Sequence, residues 1–406
     1  MSSQPASNKP PVGTSSPGWI RAVYEVWASP GEIEAVARAL ATEQSVEMPL
    51  AAITDPRVLD EVVGRVESIE PRHEGLDSVR GGDRPDTDRS RTRSCFAVTL
   101  GLAAETVQRA SRRPDVAQLW NMLFGNCSLL EDVRLIEVTL PPAILEGFSG
   151  PRFGLAGLRD LCGAADRALT CTALKPQGMA PQALAALCGR FARAGLDIIK
   201  DDHGMADQPA APFAARVQAC QNAVLAANAA TGHTSRYAPS LVGAPAVIAA
   251  QARLARELGV QVVLVAPALL GLAAFHELVV EHLAGVAVIA HPAFAGAVRV
   301  DPPLLLGSMF RLLGADATIF PNVGGRFSYS AARGQAIAHA ARVPWADIAP
   351  CVPVPAGGMT RERVPEMLHS YGRDVMLLIG GGLLAAGDGL DAEATRFVTA
   401  VALEQT

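Results

Sequence analysis

The segment Gly195-Leu-Asp-Ile-Ile-Lys200-Asp201-Asp202-His203-Gly204 sets a lysine, two aspartates and a histidine directly after an apolar run. A lysine taken out of water has a depressed pKa. Its neutral amine can attack CO2 and form a carbamate, which is an anionic oxygen donor. With Asp202 and His203, such a Lys200 offers three donors to one divalent cation. Mg2+ takes oxygen ligands and keeps positions for water or substrate; a histidine in the set leaves Mn2+ as the alternative. The same four residues also fit a solvated turn, or a Schiff-base lysine of the aldolase type. Two adjacent aspartates favour the metal over the imine.

Three further sets could do chemistry. Lys175, in Thr172-Ala-Leu-Lys175-Pro176-Gln177-Gly178, is a candidate general acid/base beside an enolate, or else a surface lysine that snorkels. His291, in Ile289-Ala-His291-Pro292, suits proton transfer near a metal, or is a satisfied core histidine. The pairs Gly357-Gly358 and Gly381-Gly382, the latter preceded by Gly380, allow backbone N–H groups to approach a phosphate closely; their plainer reading is a turn.

These residues converge only if the chain folds to bring them together. From Leu169 onward, eight short apolar runs alternate with Ala-rich helical stretches: Leu169–Pro176, Leu196–Asp202, Arg236–Val242, Val260–Ala266, Val286–His291, Ala317–Val323, Cys351–Ala356 and Val375–Gly380. Continuous apolar strands alternating with helices indicate a parallel sheet covered by helices. Eight such units close into a (β/α)8 TIM barrel with its site at the carboxyl ends of the strands. That closure predicts that Lys175, Lys200, Asp201, Asp202, His203, Tyr237, His291, Asn322 and the glycine clusters face one pocket. The barrel is assigned to residues 146–406. Residues 19–145 read β-α-β-β-α-β, the order of an α+β ferredoxin-like module. Its strands are Trp19–Trp27, Val62–Ile69, Ser94–Leu102 and Val133–Leu140. One helix is capped by Ser29 and runs to Glu43, and another spans Glu105–Phe124. The charged stretch 71–93 reads as a long mobile loop. Residues 1–18, rich in Ser, Pro and Gly, read as a disordered tail and not as a signal peptide.

Composition narrows the function class. Half of the 406 residues are hydrophobic and the formal net charge is -5. That balance argues against a nucleic-acid or anionic-membrane partner. No apolar run reaches the roughly 18 residues of a membrane span. Seven dispersed cysteines without a C-x-x-C pair suggest free thiols in a reducing, cytoplasmic compartment.

The residues above resemble the ribulose bisphosphate carboxylase (RuBisCO) large-chain family, and more closely its RuBisCO-like, non-carboxylating branch. The likeness spans residues 19 to 390. Gly195–Asp202 is similar to the family's carbamylated-lysine signature, which implies a carbamate on Lys200 and a metal ligand at Asp202. Thr172–Pro176 looks like the first-strand catalytic lysine motif, and His291 matches the fifth-strand histidine. Gly357-Gly358 and Gly381-Gly382 match the phosphate loops. Phe124-Gly125-Asn126 and Glu43 match residues that reach a partner subunit's site, implying a homodimer with shared active sites. The departures are equally specific. His203 stands where the family has a glutamate ligand. Asn322-Val-Gly-Gly-Arg326 lacks the mobile lysine needed for carboxylation. Pro292 and Phe320 replace an arginine and a histidine of the second phosphate site. Ala356 and Gln177 replace a serine and a lysine, and a Thr-Trp pair is missing after Glu43. The resemblance therefore implies enediolate formation on a singly phosphorylated keto sugar or keto-sugar acid, without carboxylase activity. The leading expectation is a decarboxylase (lyase) acting on 3-oxo-isoapionate 4-phosphate. The alternatives are 5-methylthioribulose 1-phosphate isomerase and diketo-methylthiopentyl phosphate enolase. A catalytically silent barrel with a binding role is the reading from another class.

Overall fold

The computed structural model describes residues 18–72, 93–111, 113–327 and 329–404. The predicted tail but its last residue, and all of the predicted mobile loop but residues 71, 72 and 93, lie outside them. The first sheet contains β1 (Trp19–Ala28), β2 (Arg65–Pro71), β3 (Ser94–Ala103) and β4 (Val133–Thr139), in the order β2-β3-β1-β4 with every pairing antiparallel. With α1 (Ile33–Glu43) and α2 (Val116–Phe124) this is the ferredoxin-like arrangement. On β1, Ile20, Ala22, Tyr24, Val26 and Ala28 are buried, the period of two that a sheet with one covered face requires. On α1, Ile33, Ala37, Leu40 and Ala41 supply the matching apolar stripe.

Three local expectations are corrected here. Ser29 does not cap α1. Residues 30–32 form a turn, the helix begins at Ile33, and the Ser29 hydroxyl donates instead to Glu32 at 2.7 Å. The second strand starts at Arg65 because Val58–Val62 is a helical turn. The helix expected over Glu105–Phe124 is interrupted: Ala104–Val107 is a short 3-10 turn, and Gln108 bridges Pro114. α2 begins only after Pro114, where Asp115 accepts the Gln118 N–H at 3.1 Å. Proline has no N–H for a helix interior and disfavours helical geometry in the residue before it, while an aspartate is a preferred N-cap.

The second sheet has eight parallel strands: β5 (Leu169–Leu174), β6 (Ile198–Asp201), β7 (Arg236–Ala238), β8 (Val262–Val265), β9 (Ala287–Ala290), β10 (Ala317–Pro321), β11 (Val352–Ala356) and β12 (Met376–Leu378). Each lies inside one of the eight apolar runs. Their order is β7-β6-β5-β12-β11-β10-β9-β8. The ring is closed by the parallel bridge of Ser240 with Leu264, where Leu264 N donates to Pro239 O and Leu241 N to Leu264 O, both at 2.9 Å.

Inside the barrel sit Leu169, Cys171, Ile198, Ala238, Val262, Leu264, Ala287, Ile289, Ala317, Ile319, Val352, Val354, Met376 and Leu378. Within each strand these alternate, so the barrel interior is a packed core and not a pore. Leu158 and Cys162 of the helix Gly154–Cys162 join the same cluster next to the first strand residues and cover that end. Residues between the inward ones point outward, to the helices. All seven cysteines are buried, and none is joined to another in a disulfide. Among the described residues, no helix is long and apolar enough to cross a membrane.

Candidate active site

Strand alternation decides which chemically competent side chains reach the pocket. Ala173 and Ile198 point inward, so Lys175 and Lys200, each two residues further on, point inward as well at the carboxyl end of the barrel. His291 stands two beyond the inward Ile289 in the same way. These positions draw together one cluster. Lys175 Nζ donates to Asp202 Oδ2 at 2.8 Å, and His203 Nδ1 lies 3.4 Å from Asp202 Oδ1. The rings of His203 and His291 stack at 4.1 Å with 10° between their planes. Lys200 is 3% exposed, and its ammonium donates to the Asp201 carbonyl at 3.1 Å.

The electrostatics follow from burial. Desolvation lowers the Lys200 pKa and Lys175 adds to the fall, against Cys171, Asp202 and Asp201, which oppose it. Burial likewise pushes His291 down to about 2, with Lys200 the next cause. His291 is therefore neutral. Its Nδ1 accepts the Ala293 N–H at 3.1 Å, which assigns the ring hydrogen to Nε2. Burial alone would raise Asp202, but bonds from His203 and Lys175 and the charge of Lys200 outweigh it and hold the carboxylate ionised.

The same alternation removes three expected residues from the pocket. Asp201 points outward and is fully buried behind the strand. Arg216 of the helix Phe213–Thr231 donates to it at 3.0 Å, Tyr237 at 2.8 Å and the Ser240 N–H at 3.1 Å. Tyr237 is thus a partner of this buried carboxylate and not a pocket residue. Removing one member of a buried ion pair costs about 3–5 kcal/mol, since the other charge is left without water. Asn322 is buried outside the barrel as well; its Oδ1 accepts from Tyr371 at 3.2 Å and its Nδ2 meets Met367 Sδ at 3.2 Å. Phe320 also points outward and packs edge-on against Tyr371. It therefore does not line the pocket, although the resemblance placed it at a second phosphate site.

The glycine loops open at the barrel mouth. Gly357 and Gly358 follow β11 with φ of +99° and +64°, a region in which side chains are strained. They lie against Gly324 and Gly325 of the loop after β10: a Cβ on Gly358 would stand 2.6 Å from Gly324 O. Arg363 bridges the two loops, donating to Val323 O at 3.1 Å and Gly358 O at 3.0 Å. Composition gave no hint of this bridge. After β12, a Cβ on Gly380 or Gly381 would meet nothing within 4 Å, so backbone there faces open space.

Glu43 and Asn126 are brought together at the surface of the first sheet's module. Asn126 Nδ2 donates to Glu43 Oε1 at 2.9 Å and to Glu47 Oε1 at 3.0 Å. Glu47 was not singled out from sequence; its φ of +52° belongs to a region that non-glycine residues rarely adopt. Beneath it, the buried Gln44 holds α1 to α2 by donating to Met122 O at 2.6 Å and accepting the Cys127 N–H at 3.1 Å.

Whether the cluster suits a metal can be tested on its donors. Among the described residues, no group of three or more His, Cys, Asp or Glu could hold an ion. A site at Asp202 and His203 therefore needs one added donor. A buried, pKa-depressed Lys200 in the same cluster is a residue that CO2 can convert into one. The donor chemistry fits a divalent cation on that condition.

Residues 154–404 match the family model described as ribulose bisphosphate carboxylase large chain, catalytic domain. The chain is 51% identical over 379 residues to ribulose bisphosphate carboxylase-like protein 1 of Rhodopseudomonas palustris, covering 93% of this chain and 96% of that one. It is 50% identical over 384 residues to the 5-methylthioribulose-1-phosphate isomerase of Rhodospirillum rubrum, covering 94% and 96%. A crystal structure of a Rubisco-like protein from Rhodopseudomonas palustris superposes with a TM-score of 0.82 at 46% identity, covering 96% of this chain and 99% of that one.

Proposed function

The chain belongs to the RuBisCO large-chain family, beside the RuBisCO-like proteins, and from that premise we propose that it isomerises a singly phosphorylated keto sugar of the 5-methylthioribulose 1-phosphate type. The observation that carries an enzymatic reading is the convergence of Lys175, Lys200, Asp202, His203 and His291 at the ends of three barrel strands. The choice of reaction is supported by the near full-length relative that bears the isomerase name. These relatives give no support to the decarboxylase expected first from sequence, and the isomerase alternative takes its place.

Lys200 as a carbamate, Asp202 and His203 would hold Mg2+, or Mn2+. When bound, such an ion draws charge from a substrate carbonyl and a neighbouring oxygen as the enediolate forms. The remaining work falls to the chain. The backbone of Gly357, Gly358, Gly381 and Gly382 would hold the one phosphate through N–H groups. Pro292, lacking an N–H and a charge, leaves a second phosphate without a donor at that position, and an uncompensated anion is costly. The isomerisation moves a proton. A base takes it from the hydroxyl-bearing carbon beside the ketone, and the electron pair goes to the carbonyl oxygen, which gains a proton. The neighbouring hydroxyl then gives up its proton as its own C=O forms, and the base returns the first proton to the former carbonyl carbon. Lys175, on the strand beside Lys200, is the shuttle. His291, neutral with hydrogen on Nε2, donates to substrate oxygen.

The active unit in this reading is a homodimer. Asn126, clamped by Glu43 and Glu47, would serve a partner's pocket. The exposed Met48, Leu50, Leu129 and Leu130 beside that clamp would be covered in the assembly, as exposed apolar surface at interfaces is. The partners are the sugar phosphate and a second copy, with neither nucleic acid nor membrane, in a cytoplasmic setting.

The test is turnover of 5-methylthioribulose 1-phosphate in D2O with Mg2+ and bicarbonate, followed by phosphorus and proton NMR. The expected result is a new ketose phosphate carrying solvent deuterium. Lys200→Ala should abolish it while the circular dichroism spectrum persists. No exchange and no product with the unaltered protein would refute the reading, and fixation of labelled CO2 on ribulose bisphosphate would refute the non-carboxylating assignment. Thermal stability that ignores Mg2+ and Mn2+ alike would favour the silent barrel.

A further inference from the structure

We propose that Arg216 is a positioning residue for the metal loop: a guanidinium outside the pocket that fixes the peptide carrying Lys200, Asp202 and His203. The proposal rests on the metal reading above and extends it to a residue behind the barrel wall.

Arg216 is fully buried, with every nitrogen of its fork in use. Nε donates to Asp201 Oδ2 at 3.0 Å, Nη1 to Ala206 O and Ala211 O at 2.9 Å each, and Nη2 to Met205 O at 3.1 Å. Three of those four acceptors are carbonyls of the loop between β6 and the helix Phe213–Thr231. The fourth is the carboxylate of the residue between Lys200 and Asp202. Asp201 is in turn held from the far side by Tyr237 and by the Ser240 N–H. Side chains alternate along a strand, so an Asp201 that cannot turn fixes the inward direction of both its neighbours. The loop bonds then set where the chain goes after Asp202, and with it His203.

Stability by itself is a weak reason for such a pair, because well-packed apolar residues often replace a buried ion pair without loss. An apolar pair cannot tie three loop carbonyls to the strand end. Nor can lysine, whose single ammonium lacks the planar fork.

The experiment uses the full-length protein, with Mn2+ as the probe. Mn2+ affinity is measured by electron paramagnetic resonance with and without bicarbonate, and amide hydrogen exchange is read over residues 203–211. In Arg216→Lys, we expect Mn2+ to bind about tenfold or more weakly, the usual effect of losing an outer-shell partner. Amide exchange in the loop rises, and kcat falls more than KM increases. Tyr237→Phe removes one bond to Asp201 and buries no new charge. It is expected to weaken Mn2+ in the same direction by a smaller factor, at near-normal melting temperature, and it decides the matter if Arg216→Lys does not fold. Wild-type Mn2+ affinity and wild-type loop exchange in the folded variants would overturn the role of Arg216. An unaltered protein that shows no bicarbonate-dependent Mn2+ binding would instead overturn the metal reading on which the role depends.

Discussion

One peptide separates Asp201 from Asp202, and strand alternation gives their carboxylates different surroundings. Asp202 meets Lys175 and His203 at the mouth, while Asp201 meets Arg216 and Tyr237 behind the wall. Histidines divide in the same way. His276, outside the pocket, packs against Phe148 at 5.4 Å and meets Leu313 O through Nδ1 at 3.3 Å. Burial lowers its pKa, against the bond to Leu313, which raises it, and Arg109 adds to the fall. Above the unfolded value of about 6.5 the ring is neutral in both states and adds no pH dependence. Below it the unfolded chain takes the proton first, so stability falls as the pH drops. His276→Leu should therefore flatten the decline of the denaturation midpoint between about pH 6.5 and 5. Equal slopes in the variant and the parent protein would remove His276 from the acid response.

At the scale of elements, the loops after β10 and β11 form one wall. Gly324 and Gly325 touch Gly357 and Gly358, and Arg363 joins their carbonyls. Gly358→Ala would place a methyl 2.6 Å from the Gly324 carbonyl oxygen, at a φ of +64°. The strain is on the order of 1–3 kcal/mol. The two loops should part, and the substrate's KM should rise by about tenfold, the equivalent of 1.4 kcal/mol, with a small loss of melting temperature. An unchanged KM would mean that these glycines do not hold the phosphate. The glycine clusters were legible because they follow apolar runs. Arg363 was not, since nothing local distinguishes it from the other arginines. Asn322 and Tyr237 were misplaced for a related reason: their strand ends are known from sequence to within a residue or two, and one residue reverses a side chain's direction.

At the scale of the molecule, the surface beside Asn126 carries Leu129 at 81% exposure and Leu130 at 48%. Leu129→Asp should shift the protein from dimer to monomer in light scattering after size exclusion, and lower activity in proportion to the dimer lost. A fully active monomer would show that Asn126 and Glu43 serve no partner's pocket.

Eight apolar runs with helices between them, and a lysine, aspartate and histidine at the end of the second run, were enough to determine the barrel and to point to the end of it where those side chains gather. Burial periodicity and strand-end position are local properties, written into consecutive residues. Which aspartate enters the pocket, which polar residues turn away, and what anchors the loops were decided only by closure of the ring. Those outcomes depend on strand register and on distant partners: Arg216, Tyr237 and Ser240 stand 15, 36 and 39 positions from Asp201, and Val323 stands 40 from Arg363, where no sequence spacing encodes a direction.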